Sequence, residues 1–247
     1  GLLYFSDGTD YVDRVVEKLN LPEGGRYNPE LAQQYKEQAM EELSAKGVTF
    51  PVELDYYIKS GDQAASDSAT ILKEIVEALG TDYITVHVGT YVTSQSKEVY
   101  DAHLQSWGNA GWGADYGDPE NFISQELYGY ENAYYSREMS NINEATDPDL
   151  IATYQEYTAL AEKASKIYDD MDARYEAYAE AEAYLVSHAL TIPCYYNVPY
   201  QLTHVNDYTK IHGVYGMQNY TYKNWETSTI PYTAEDYEQF LADFNAN

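Results

Sequence analysis

The feature that most constrains the fold is a change of hydrophobic period between residues 52 and 88. Val52, Leu54, Tyr56 and Ile58 alternate with polar neighbours, the period of a strand with one covered face. From Asp62 the spacing becomes helical, through Ala65, Ala69, Leu72, Val76 and Leu79, and Gly80 closes it. Tyr83-Ile84-Thr85-Val86-His87-Val88 then reads as a second strand. Strand, helix and strand within so short a span form a βαβ unit, which implies parallel neighbours joined by a right-handed crossover.

Helix signals flank this unit. Asn28-Pro29-Glu30 places a capping side chain before a first-turn proline, followed by a stripe of Leu31, Tyr35, Ala39 and Leu43 and a stop at Gly47. A shorter helix is expected around Ser94–Tyr100, then a third extended segment over His103–Asn109. Asp147-Pro148 starts a long helix with Leu150, Tyr154, Tyr157, Ala161, Ala164 and Tyr168 along one face. The acidic run Asp169-Asp170-Met171-Asp172 favours a fresh helix start, and the pattern leaves open two helices or one bent helix up to His188. Ile192-Pro193-Cys194-Tyr195-Tyr196 reads as another extended segment, residues 199–231 as irregular, and Thr233-Ala234-Glu235-Asp236 as a final helix start. The expected class is α/β, with a mixed sheet built on the βαβ unit and flanking helices.

Composition narrows the partners. The 247 residues carry 14 Lys and Arg against 41 Asp and Glu, a formal net charge of −27. Such a field repels phosphate backbones and anionic lipid headgroups, so nucleic acid is not an expected partner. No apolar run approaches the ~20 residues of a membrane-spanning helix, so direct membrane insertion is not expected. The start, Gly1-Leu2-Leu3-Tyr4-Phe5, has neither an initiating Met nor a basic-plus-apolar leader and reads like the middle of a protein. Cys194 is the single cysteine, which excludes an internal disulfide.

Few motifs carry chemistry. The five histidines, His87, His103, His188, His204 and His212, show no metal-ligand spacing, so neither a metal nor a cofactor is expected. No phosphate loop, dinucleotide fingerprint or nucleophile elbow occurs, and Cys194 lies in an apolar setting away from basic groups. With 41 acids, close carboxylate pairs arise by chance and do not argue for hydrolysis. The Asn219-Tyr220-Thr221 sequon reads as coincidence. The densest feature is Asn109-Ala110-Gly111-Trp112-Gly113-Ala114-Asp115-Tyr116-Gly117-Asp118-Pro119. Its glycines permit close approach of a ligand or a positive φ, the Trp offers an apolar wall, and Asp115 can pair with an ammonium group. A Gly-rich turn with a core Trp and a capping Asp is the competing structural reading.

Gly111-Trp112-Gly113-Ala114-Asp115-Tyr116 with Asp118-Pro119 resembles the hallmark loop of oligopeptide-binding proteins, the substrate-binding components of peptide ABC transporters (extracellular solute-binding protein family 5). Tyr27 to Ala32, Gly47 to Val88, Arg174 to Glu182, and Ile192-Pro193 with Tyr195-Tyr196 resemble further segments of that family in order and spacing. The resemblance implies a clam-like receptor with a lobe of the type II periplasmic-binding-protein kind. Residues 1–198 would be its second ligand-binding lobe, and residues 199–247 a C-terminal segment returning to the first. It implies a monomeric, non-enzymatic protein that captures oligopeptides for a membrane permease. The expected place is the outer face of a bacterial membrane, lipoprotein-anchored, or the periplasm. Oligosaccharides or other solutes are the alternative ligands. By resemblance, Asp115 binds the peptide amino terminus, Gly111 and Gly113 face its main chain, and Trp112 walls the pocket. Tyr195 or Tyr196 approaches from a later strand, and Asn109 stands where some members carry an arginine. The helical length over 154–172 exceeds what the resemblance implies.

Overall fold

The computed structural model describes residues 3–22, 27–108, 111–194, 204–210 and 222–246. Its order is α1 (Tyr11–Leu19), α2 (Pro29–Ala45), β1 (Val52–Lys59), α3 (Gln63–Glu77), β2 (Ile84–Tyr91), α4 (Glu120–Ile123), α5 (Pro148–Ser165), α6 (Met171–Ser187) and α7 (Ala234–Ala246), with short 3-10 and π-helical turns between.

The βαβ unit is present as the sequence implies. β1 and β2 pair in parallel from Val52 opposite Ile84 to Lys59 opposite Tyr91. The Asp62 carboxylate caps α3 by accepting from the Ala65 amide at 3.0 Å. Ala69 of α3 is buried with Tyr56, Ile58 and Val86 of the strands, and Trp107 packs against the group. Glu77 accepts from the Val86 amide at 2.9 Å, and Lys73 donates to Glu77 at 2.6 Å, which pins the helix end to β2. Gly80 turns the chain into β2 with φ +117, where an added Cβ would stand 2.4 Å from Asp82 Oδ1.

Among the described residues the sheet is this parallel pair, so the mixed strand order expected from the pattern is not realised there. The expected extended segment over 103–109 is not a strand in its described part, residues 103–108. His103 has φ +51, and the Ser106 and Trp107 amides both donate to the Asp55 carbonyl. One carbonyl taking two successive amides is a docking contact, not a ladder. Asn109 lies outside the described residues, as do Tyr195 and Tyr196 of the expected 192–196 segment, and Ile192 to Cys194 are not a strand. α2 begins as expected, with Asn28 Oδ1 accepting from the Leu31 amide at 2.9 Å. Its apolar stripe is not buried by any described element, and Tyr35 stays exposed. Lys36 ties it instead to the Leu79 carbonyl at 2.6 Å.

The second core is helical. α5 and α6 are two separate helices, capped by Asp147 and Asp170. Tyr154, Tyr157, Ala161 and Ala164 of the expected α5 stripe are buried, whereas Leu150 and Tyr168 at its ends are exposed. α1, capped by Asp10 and carrying Tyr11, Val12, Val15, Val16 and Leu19 at helical spacing, packs against α6, and its Tyr11 hydroxyl donates to Glu182 at 2.9 Å. Tyr157 is fully buried and donates to the Ile123 carbonyl at 2.6 Å, joining α5 to α4. α7 has the reciprocal Thr233–Asp236 cap that the sequence implies: Thr233 N donates to Asp236, and Asp236 N to Thr233.

Arg174, 7% exposed in the first turn of α6, links these parts. Its Nε and Nη2 donate to the two oxygens of Asp118 at 2.8 and 3.1 Å, and Nη2 also reaches Glu120 at 2.8 Å. Its Nη1 donates to the carbonyls of Ala164, Ser165 and Ile167 at the end of α5. Asp118 holds the Arg174 guanidinium even further above neutrality than usual. Arg174→Met should leave the half-buried Asp118 carboxylate without its cation and the Ser165 and Ile167 carbonyls without this donor, with a loss of about 3–5 kcal/mol in urea unfolding. A loss below about 1 kcal/mol would show that the network does not support the fold.

Candidate functional site

The loop of residues 111–119 enters α4, and its two ends are held differently. At the α4 end, Asp118 accepts from the Glu120 amide at 3.0 Å while gripping Arg174. The preceding stretch is held by Asn121, a buried side chain on α4. Asn121 Oδ1 accepts from the Trp112 indole N–H at 3.1 Å and from the Asp115 amide at 3.0 Å. Trp112 also meets the Tyr135 ring edge-on, with centroids 6.0 Å apart and planes at 79°. The Trp is therefore anchored along one edge and remains 36% exposed. It is neither a core residue nor a loose surface ring.

The structure separates the acids of the loop by role. Asp118 is engaged with Arg174 and is structural. Asp115 is exposed, and among the described residues no side chain pairs with its carboxylate. Its backbone is fixed while its charge faces outward. Gly111 and Gly113 are exposed and do not adopt positive φ, so the positive-φ explanation for them fails. A Cβ added at either would meet nothing within 4 Å, so both border open space. The close-approach explanation is the one this geometry allows.

Of the sequence-selected residues, the structure thus brings together Trp112 and Asp115 on one side-chain oxygen, with Gly111 and Gly113 beside them. Asn109, Tyr195 and Tyr196 cannot be placed relative to them, because they lie outside the described residues. Sequence reading missed Asn121, Tyr135 and Arg174. The run Asp118-Pro119-Glu120-Asn121 carried a signal, since a carboxylate before a proline-led turn is a capping pattern. Nothing local pointed to Arg174, 56 residues away.

The loop face is open. A recess of about 350 Å³ lined by Phe5, Arg14, Asp172 and Glu176, and one of about 90 Å³ beneath Glu120 and Tyr178, include neither Trp112 nor Asp115. Among the described residues, no group of His, Cys, Asp and Glu is arranged to hold a metal, and no helix is long and apolar enough to cross a membrane.

No protein-family model matches the chain. The sequence is similar to that of several curated oligopeptide-binding proteins. It is 28% identical over 180 residues to oligopeptide-binding protein AliB of Streptococcus pneumoniae, covering 68% of this chain and 26% of AliB. It is 28% identical over 212 residues to oligopeptide-binding protein SarA of Streptococcus gordonii, covering 76% and 31%. It is 26% identical over 186 residues to oligopeptide-binding protein AmiA of Streptococcus pneumoniae, covering 71% and 28%. The resemblance read from the loop and its companion segments thus extends over about 70% of the chain, which spans about a quarter to a third of the length of these curated relatives.

Behind the aromatic wall lies a buried acid. Glu126, on the 3-10 turn Ser124–Glu126, is 7% exposed, and burial pushes its carboxyl from the ordinary 4.5 up to about 7. A charge on it would bear on Tyr135, Tyr154 and Tyr157, whose hydroxyls burial already holds neutral. The unfolded chain releases this proton near pH 4.5 and the folded chain near 7, so the unfolded state binds fewer protons between them. Stability should therefore fall by about 3 kcal/mol as pH rises through that window, and be flat for this group on either side. Glu126→Gln should flatten the slope and raise the unfolding midpoint at pH 8. A slope identical to that of the unaltered protein would contradict the assignment.

Proposed function

We propose that this chain supplies one ligand-binding jaw of an ABC-transporter substrate-binding protein that captures oligopeptides for import. The observation that carries this reading is the anchored loop whose Asp115 carboxylate stays unpaired beside Trp112, in a chain whose relatives are named as oligopeptide-binding. On this reading residues 1–198 are the second ligand-binding lobe, of the type II periplasmic-binding-protein kind, and residues 199–247 return to the first. The complete receptor is monomeric, works outside the membrane of a bacterium (lipoprotein-anchored, or in the periplasm) and delivers its cargo to a permease. It binds without catalysis.

The chemistry of capture follows from the loop. A peptide ammonium pairs with the Asp115 carboxylate by charge-assisted hydrogen bonds, and closure of the opposing jaw removes water and strengthens the pair. The open space at Gly111 and Gly113 lets the peptide backbone approach the loop backbone. Trp112 covers the first residues of the peptide with an apolar face. Recognition through the amino terminus and main chain leaves side chains to wet, roomy space, which tolerates many sequences.

Two substitutions in the full-length polypeptide test this. Asp115→Asn preserves shape and removes the charge; the loss of a buried charge partner corresponds to about 2–5 kcal/mol, so affinity for a free-amine peptide should drop at least about tenfold by calorimetry. An unchanged affinity would remove Asp115 from the site. Gly113→Ala projects a methyl into open space, so folding stability should change by less than about 0.5 kcal/mol while peptide binding weakens. Full binding by this variant would mean that the ligand does not approach the loop there.

A further inference from the structure

Residues 111–115 make no backbone–backbone hydrogen bond among the described residues. A segment with two glycines and no ladder has little to define its shape. Its two tethers, the Trp112 indole N–H and the Asp115 backbone amide, converge on one atom, Oδ1 of Asn121. We infer that Asn121 is a positioning residue: its single carbonyl oxygen sets the spacing between the Trp112 wall and the Asp115 carboxylate, so that the loop presents both to one ligand end group as a unit. This inference rests on the reading of the loop as a peptide jaw.

The chemistry at Asn121 is unambiguous. An indole N–H and a backbone amide are donors only, so the atom facing them must be the carboxamide oxygen, whose two lone pairs suit two donors. The side chain is 4% exposed, so water does not substitute readily for either bond. Asn121 is itself held on a chain of contacts that reaches the helical core. Its amide donates to the Asp118 carbonyl at 3.1 Å, and the Asp118 side chain is clamped by Arg174. The loop therefore takes its reference frame from α6, through α4, and passes it to two groups of different kind. One is an aromatic ring and the other a backbone position carrying a carboxylate. If the oxygen is lost, both come free together, and so does their spacing.

The test uses Asn121→Asp, which keeps an acceptor oxygen in place, and Asn121→Leu, which keeps similar volume without one. Both are made in the full-length polypeptide and titrated with a free-amine pentapeptide and its N-acetylated form. The Trp112 indole N–H resonance and the melting temperature are recorded for each. The expected result is that Asn121→Leu loses about tenfold in affinity for the free-amine peptide, with little change for the acetylated one. Discrimination between the two peptides then collapses, and the Trp112 resonance moves. Asn121→Asp should keep that resonance close to its native position and keep discrimination within about threefold of the unaltered protein. Native discrimination in Asn121→Leu overturns the proposal. So does an equal loss for both peptides in both variants that tracks melting temperature, because that is a folding defect. If the unaltered protein does not discriminate between the peptides, the amine-anchor reading of Asp115 fails instead. The Asn121 inference then stands or falls on whether the Trp112 resonance moves in Asn121→Leu but not in Asn121→Asp.

Discussion

The guanidinium of Arg174 is the contact on which the rest of the candidate site depends. It is buried in the first turn of α6, and all three of its nitrogens are engaged, in two directions. Nη1 donates to the Ala164, Ser165 and Ile167 carbonyls where α5 ends, a place where helix carbonyls run out of intrahelical partners. Nε and Nη2 hold Asp118 bidentately, and Nη2 adds Glu120. A lysine, with a single point charge, could not span these partners, because the fork geometry and five donors of arginine are what the arrangement uses. Tyr178 lies under the guanidinium with its ring centroid 4.9 Å away, so the cation is also covered on a face. Burying one charge among so many acids is tolerable only because the pairing is complete.

From this contact the site is built outward in short steps. Arg174 fixes Asp118, Asp118 caps the start of α4, and α4 carries Asn121 under the loop. A helix of four residues has almost no stability of its own. Its position comes from the ion pair at one end and from the Tyr157 hydroxyl on the Ile123 carbonyl at the other. Trp112 and Asp115 are thus exposed, yet Asn121 and Arg174, which support them, are buried. Such a division allows a face to be both wet and well defined.

What could be read in the sequence was local. The caps at Asn28, Asp62, Asp147 and Thr233 and the βαβ unit were legible because each is written within a few residues of itself. The segment from His103 was read as extended, but a left-handed His103 and the shared Asp55 carbonyl are tertiary choices without a periodic signature. α1 is equally local, with Asp10 as cap and Tyr11, Val12, Val15, Val16 and Leu19 at helical spacing; what the sequence does not carry is that this stripe packs on α6. The loop itself was recognisable by motif, although the physical reason for its glycines was not. The structure excludes an unusual φ at Gly111 and Gly113 and places open space beside both. The difference between Asp115 and Asp118 was equally invisible. Both are aspartates in one short run, and their roles are divided by an arginine 56 residues from the second.

That division gives the acidic composition a meaning beyond solubility. The chain has 41 carboxylates and 14 strong cations, so a carboxylate without a partner is the statistical norm on its surface. An unpaired aspartate is therefore weak evidence by itself. Asp115 differs because its backbone amide is fixed by a buried acceptor, its neighbour is an anchored indole, and the glycines on its other side open onto free space. Most exposed acids gain nothing from having their backbone held, since solvent serves them in any orientation. Fixing the backbone beneath an exposed charge matters only when a partner must arrive at a defined place. On the function proposed above that partner is a peptide amino terminus, which the long-range field of the other acids would draw in and the loop would position.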